Sequence, residues 1–364
     1  MEQKEYLSRL VEFIDRPGLK IVKGVRYGGK TALLDRFREE LVTLGVAAEN
    51  ILRVDFDGTE SVTRAELTAL HSRLTDSLNV GREIFLLLDE LPGATEFELA
   101  VGSLYLNRKL HIYIAASWQG LTKRELVTAL SGGYDEISVY PAEEAEQVGD
   151  EAAPGRLYTM LFKDVLRHNA LRDVNFLLDI LRYVCRYGHE VLTYKRLMNE
   201  LNFRGGKPSQ KTVTEYLTAL KTGGLIAELP RYYLAREQRL VAGSNRWYAT
   251  SLWLRRAVLG QEEENAVGWW ENRLFCEFKR RGYEIFSGRI YNDDVTFVSP
   301  AEPAFYVQVT TVERITNAER ILKSVHDDNA AQYILATEEV PPRCSRGVKI
   351  MGVRRFWAEH IKGM

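Results

Sequence analysis

The stretch Gly24-Val25-Arg26-Tyr27-Gly28-Gly29-Lys30-Thr31 places its glycines, lysine and threonine at the spacing of a loop that wraps phosphate groups. Such a loop turns its backbone N–H groups onto the phosphates, while a lysine reaches the β/γ-phosphates and a hydroxyl holds Mg²⁺. Gly24, Val25, Arg26, Tyr27, Gly28, Gly29, Lys30, Thr31 and Ala32 are therefore expected to surround ATP or ADP, with Thr31 on the metal. A second set is the apolar run Ile84 to Leu88, which ends in Asp89-Glu90. An acidic pair at a strand's C-terminal edge, facing the loop of a neighbouring parallel strand, is where Mg²⁺ and an attacking water belong. Asp89 is expected on the metal and Glu90 at the nucleophile, with Lys30 as the partner of the transferred phosphoryl group. Ser117 ends the next strand, where it reads equally as a γ-phosphate sensor or as a serine capping a helix.

Two further groups lie downstream. From Phe203 to Arg246 there are eight basic and three acidic residues, in a chain with 49 basic and 50 acidic residues overall. Lys207, Lys211 and Arg231 in this stretch are candidates for contact with the phosphates of double-stranded DNA; the alternative is a solvated charged face used for protein contact. Further on, GWWENRLFCEFKRRGYEIFSGRIYNDDVTFVSP followed by AFYVQVTT has the order of a restriction-nuclease core: a helix with an acid, a strand, an acid opening a second strand, and a third strand. Glu271 and Asp294 take the two acid positions. Gln308 and Thr310 stand where an active enzyme has a further carboxylate and a lysine. A neutral Gln308 holds a hard cation poorly, and Thr310 has no positive charge to orient a water, so a degenerate, inactive nuclease site is expected. The tryptophans Trp247, Trp253, Trp269 and Trp270 read as core or interface residues.

These residues need particular elements to position them. Gly18 to Gly24 reads as a buried strand, and Thr31 to Gly45 carries Leu33, Leu34, Phe37, Leu41 and Leu44 at helical spacing, so the glycine loop sits between strand and helix. Asn50 to Gly58, Lys109 to Ser117 and Asp135 to Pro141 add strands, giving an α/β domain over residues 1–141 with the parallel sheet of a P-loop NTPase. An acidic, small-residue stretch, 142–155, reads as a linker. Residues 156–246 are expected to be helical and to include a winged helix. Its second helix starts at Pro208-Ser209, turns Val213, Tyr216, Leu217 and Leu220 inward, and stops at Gly223-Gly224. Residues 247–364 are then a small α/β restriction-nuclease-like domain.

KGVRYGGKTALL, FLLLDELPG, HIYIAASWQGL and SGGYDEISVYP resemble, in order and spacing, a family of bacterial and archaeal AAA-type ATPases. The C-terminal half of that family is a domain of unknown function distantly related to restriction nucleases. The resemblance implies ATP hydrolysis to ADP and phosphate with Mg²⁺. Gly133 stands where the family usually carries an arginine, so slow basal turnover is expected if that arginine assists hydrolysis as an arginine finger does.

With 45% hydrophobic and 27% charged residues and a net charge of −1, the chain has the composition of a globular protein rather than of a disordered tail or a polycation. Cys185, Cys276 and Cys344 form no metal or disulfide pattern, which fits a reducing cytoplasm, and neither a signal peptide nor a membrane span is read. The leading expectation is a slow nucleotide-dependent switch that contacts DNA. The alternatives are an ATP-gated metal-dependent nuclease, and a nucleotide-binding scaffold for a protein partner or for self-association.

Overall fold

The computed structural model describes residues 3–16, 18–56, 62–91, 94–116, 134–141, 153–166, 169, 171–201, 208–234, 238–240, 245–260, 266–325 and 330–361. The chain forms two compact units, Met1–Ala170 with Thr222–Gly224, and Leu171–Lys221 with Leu225–Met364. Ser117, Gly133 and Lys207 lie outside the described residues.

In the first unit, β1 (Leu19–Gly24), β2 (Ile51–Asp55), β3 (Ile84–Asp89), β4 (Leu110–Ala116) and β5 (Tyr134–Val139) form a five-stranded sheet in the order β2-β3-β4-β1-β5. Every pairing is parallel. A parallel sheet is covered on both faces, and β3 and β4 are accordingly buried along their whole length. Along β3, Ile84, Leu86 and Leu88 enter one core with α3 (Arg64–Asn79) and α4 (Ala94–Ala100). Phe85 and Leu87 enter the other, with α1 (Gln3–Glu12) and α2 (Lys30–Thr43). Thr63 and Glu66 cap α3 reciprocally, each side chain bonding the other's backbone N–H. A last helix, α5 (Ala153–Met160), runs into a π-helical turn, Leu161–Val165. This order corrects one expectation: β3 does not neighbour β1, because β4 lies between them.

Lys20 of β1 is 1% exposed, and its ammonium donates to the Gly18 carbonyl at 3.1 Å. Burial pulls its pKa down to about 8, against the attraction of Asp135. Between about pH 8 and 10.5 the unfolded chain therefore binds more protons at this site than the folded one, so its charging destabilises the fold below that window. At neutral pH, Lys20→Met is expected to be more stable than wild type by up to about 3 kcal/mol, at roughly 1.4 kcal/mol per pKa unit. Urea titrations at pH 7 and pH 10 check this: the gap should close at the higher pH.

The second unit opens with α6 (Val174–Tyr187), α7 (Tyr194–Glu200) and α8 (Gln210–Thr222). Thr193 caps α7, and the stripe Val213, Tyr216, Leu217 and Leu220 of α8 is buried as its spacing predicts. Four short strands follow: β6 (Ile226–Leu229), β7 (Arg231–Tyr233), β8 (Gln238–Leu240) and β9 (Arg246–Ala249). β6 pairs β9 and β7 pairs β8, both antiparallel, in two different sheets. β7 also pairs in parallel with β10 (Phe286–Ile290). Then come α9 (Leu252–Leu259), α10 (Ala266–Arg280), β11 (Asp293–Ser299), β12 (Phe305–Thr310), α11 (Ile315–Lys323) and β13 (Ala331–Ala336). β14 (Arg343–Ser345), β15 (Val348–Gly352) and α12 (Val353–Phe356) close the chain. The eight-stranded sheet runs β14-β15-β13-β12-β11-β10-β7-β8. Among the described residues, no helix is long and apolar enough to cross a membrane.

Candidate functional site

The phosphate loop leaves β1 at Gly24 and enters α2 at Lys30. A Cβ on Gly24 would sit 2.7 Å from the Val139 carbonyl of the adjacent strand, so no other residue fits without displacing β5. Gly29, the residue before α2, has φ 90°, a left-handed conformation that only glycine adopts without strain. It offers no capping side chain, so the first N–H groups of the helix stay available to an anion, reinforced by the helix dipole. Val25, Gly28 and Lys30 are buried, Arg26 and Gly29 partly so, and Tyr27, Thr31 and Ala32 are exposed.

Lys30 is 4% exposed and its charge is shared among three oxygens. Its ammonium donates to the carbonyls of Gly24 at 3.3 Å and Val25 at 3.2 Å, and pairs with Glu90 Oε1 at 2.8 Å. The Glu90 backbone lies in the left-handed region at φ 53°, and its N–H is anchored on the Ala115 carbonyl of β4 at 2.7 Å. This strained turn carries the carboxylate across the intervening strand to Lys30. Strain of this kind concentrates where function demands a fixed geometry. Lys30 and Glu90, both predicted as catalytic residues, are thus brought into direct contact.

Asp89 is 1% exposed. Its Oδ2 accepts from Arg53 Nη2 at 3.0 Å, and its Oδ1 has no hydrogen-bond partner. Burial raises the Asp89 pKa above the usual carboxylate range, with Glu90 adding to the rise while the Thr31 hydroxyl and Arg53 oppose it. A buried carboxylate with an open lone pair beside a threonine hydroxyl is a donor set that suits Mg²⁺, which keeps most of its waters and takes few protein ligands. Among the described residues no three His, Cys, Asp or Glu side chains gather around one point, so any metal here would rely on phosphate oxygens and water as well as on Thr31 and Asp89.

Two arginines make polar contacts at this site that escape sequence reading. Arg53 of β2 bonds Asp89 and also lies 3.2 Å from Asp35. Arg26 makes a forked ion pair with Asp164, at 2.9 Å from Nη2 to Oδ1 and 3.1 Å from Nε to Oδ2. Arg26 was visible only as a loop position, and nothing in the composition around Asp164 singles it out.

In the second unit, the four positions of the nuclease pattern do converge. Glu271, Asp294, Gln308 and Thr310 line one cavity of about 750 Å³, together with Arg196 and Arg246. Both carboxylates are already neutralised. Glu271, 3% exposed, accepts from Arg246 at 3.2 Å, the Tyr248 hydroxyl at 2.9 Å and the Thr296 hydroxyl at 3.4 Å. Burial nevertheless raises its pKa, against the pull of Arg246. Asp294 accepts from Arg231 at 2.7 Å and Arg289 at 3.0 Å. Gln308 accepts the Thr296 N–H at 3.2 Å. Guanidinium groups therefore stand beside the two acids where a nuclease would hold its metal. Of the residues proposed to meet DNA, Lys211 lies on α8 with its side chain 87% exposed, 4.0 Å from Glu215. Arg231 is elsewhere, committed to Asp294 with 15% of its side chain exposed.

Residues 16–148 match the family model of an AAA domain, and residues 127–265 match that of a domain of unknown function, DUF8612. The chain is similar to an uncharacterized protein of Haemophilus influenzae, 24% identical over 346 residues, with 85% of this chain and 86% of the relative covered. Among solved structures it is similar to the Walker-type ATPase of Pyrococcus abyssi, with a TM-score of 0.45 and 16% identity over 70% of this chain and 95% of the other. Its similarity to AMPPCP-bound DnaA from Aquifex aeolicus has a TM-score of 0.27 and 14% identity, over 60% of this chain and 84% of the other. The loop, the strand-end acids, the five-stranded parallel sheet and the family match agree: residues 16–148 are an AAA-type P-loop ATPase domain.

Proposed function

We propose that this protein is a slow nucleotide-dependent switch that binds Mg·ATP at Gly24 to Thr31 and contacts duplex DNA through α7 and α8, a winged-helix pair. The observation that carries the switch is the Lys30–Glu90 ion pair. A β/γ-phosphate entering the loop takes over Lys30 and releases Glu90 towards the attacking water, so the nucleotide and the Glu90 carboxylate compete for one charge. Mg²⁺, held by Thr31 and Asp89, would neutralise the charge on the phosphates. Gly133 in place of arginine supports slow turnover to ADP and phosphate. The C-terminal elements, in the order α10-β10-β11-β12-α11-β13, support a restriction-nuclease-like domain that does not cut, since Arg246, Arg231 and Arg289 occupy its acids.

DNA contact rests on the exposed face of α8, where Lys211, Thr214 and Thr218 point outward. One observation favours the second reading, a protein-contact surface: Lys221 is bound to Glu228 and Arg231 to Asp294, so these two positive charges are already paired. Titration calorimetry with ATP, then with duplex DNA across a salt series, separates the two. Lys211→Ala and Lys207→Ala are each expected to weaken all duplexes alike and to lower the slope of log affinity against log salt by about one unit. Binding that ignores salt, or no binding, would favour the protein-contact surface. Cleavage of the duplex with Mg²⁺ and ATP that vanishes in Asp294→Ala would instead restore the nuclease.

A further inference from the structure

The phosphate loop is clamped at two consecutive residues by one segment, 153–166. Arg26 reaches Asp164, which is 2% exposed, through three contacts of 2.9, 3.1 and 3.2 Å. The Arg156 guanidinium lies 4.9 Å from the centre of the Tyr27 ring. Tyr27 itself holds φ 63°, a left-handed backbone that a side chain resists. Such a residue persists only when its surroundings over-determine it, and here the two clamps are made by Tyr27 and the residue just before it. Arg26 falls in the part of the loop that the phosphate motif leaves free, so phosphate binding does not explain its pairing. Asp164 bonds a residue of the loop itself, and the charges of Glu90 and Lys30 reach it. It sits in the π-helical turn, a device that re-aims side chains and is frequent at functional sites.

We infer that Asp164 is a positioning residue of the nucleotide site. Acting through Arg26, it holds the phosphate loop in its binding shape and couples nucleotide occupancy to the order of residues 153–166. This rests on the assignment of Gly24 to Thr31 as the nucleotide site. A loop already shaped for its ligand avoids the entropy of ordering at the moment of binding, which is where preorganisation adds affinity. Coupling of this kind is reciprocal: if Asp164 helps the loop bind nucleotide, bound nucleotide must stabilise the segment that carries Asp164.

The test is calorimetric titration of the full chain with Mg·AMPPCP, accompanied by hydrogen exchange over residues 154–166. Arg26→Met and Asp164→Asn are each expected to weaken binding by roughly 5- to 150-fold, the usual range of coupling between sites. Because both act through one contact, Arg26→Met/Asp164→Leu should be no weaker than the worse single variant. Nucleotide should slow exchange over 154–166 in wild type and leave it unchanged in Arg26→Met, a response that a merely structural ion pair would not produce. Wild-type affinity in Arg26→Met and Asp164→Asn, with binding lost in Lys30→Ala, overturns the positioning role and leaves the nucleotide site standing. Wild-type affinity in Lys30→Ala removes the site itself. Should Asp164→Asn fail to fold, a folded double variant that binds as tightly as wild type overturns the inference.

Discussion

Lys30→Ala is expected to lose at least roughly 30-fold in Mg·ATP affinity, the consequence of truncating one partner of a buried, hydrogen-bonded charge contact. The change also takes from Glu90 its contact with Lys30 at 2.8 Å while its backbone stays strained at φ 53°. Glu90→Gln is expected to do the opposite. It preserves shape and removes the negative charge that competes with phosphate for Lys30, so ATP affinity should hold or rise. Hydrolysis should fall by about 10² to 10⁴, the range supplied by a positioned general base. Equilibrium dialysis with radiolabelled ATP and a single-turnover phosphate assay measure both numbers. Equal affinity in Lys30→Ala and wild type would refute the phosphate-loop assignment. Undiminished hydrolysis in Glu90→Gln would move the catalytic base elsewhere.

Arg246→Ala is expected to destabilise the second unit by about 3–5 kcal/mol, because it leaves a carboxylate buried without its counter-charge. Arg246 is 8% exposed and Glu271 3%, so the pair is buried in the folded chain. The pH dependence identifies the cause. Burial already raises the Glu271 pKa, and loss of Arg246 raises it further. The folded variant then binds more protons than the unfolded chain between the ordinary and the raised carboxylate pKa. Its stability therefore falls as pH rises through that window and recovers towards acid. The deficit relative to wild type should be largest at pH 8 and clearly smaller at pH 5. Five of the six tryptophans, Trp247, Trp253, Trp269, Trp270 and Trp357, lie in the second unit, so their fluorescence in urea follows this unfolding. Adding Glu271→Gln to Arg246→Ala should recover part of the loss at pH 8, since a neutral amide is far less costly to bury than a charge. A deficit independent of pH, with no recovery in the double variant, would assign the effect to lost packing.

Local physics made much of the first unit legible. Left-handed Gly29 and the apolar runs of β1, β3 and β4 depend on near neighbours, and their residue types announce them. The alternation of strand and helix, the loop between β1 and α2, and the acids ending β3 were readable for the same reason, as was the inward stripe of α8. Strand order was not readable. Buried parallel strands carry interchangeable apolar runs, and only packing placed β4 between β1 and β3. That placement decides how Glu90 must turn to reach Lys30. Pairings between distant charges were equally hidden: Arg26 and Asp164 are 138 residues apart, and Arg246 and Glu271 lie on different elements 25 residues apart. The acids and Gln308 of the nuclease pattern could be read one by one, but not the guanidinium groups that neutralise them. A salt bridge leaves no periodic trace in a sequence, because its partners are chosen by which surfaces the fold presses together and dries, and that is a property of the tertiary structure alone.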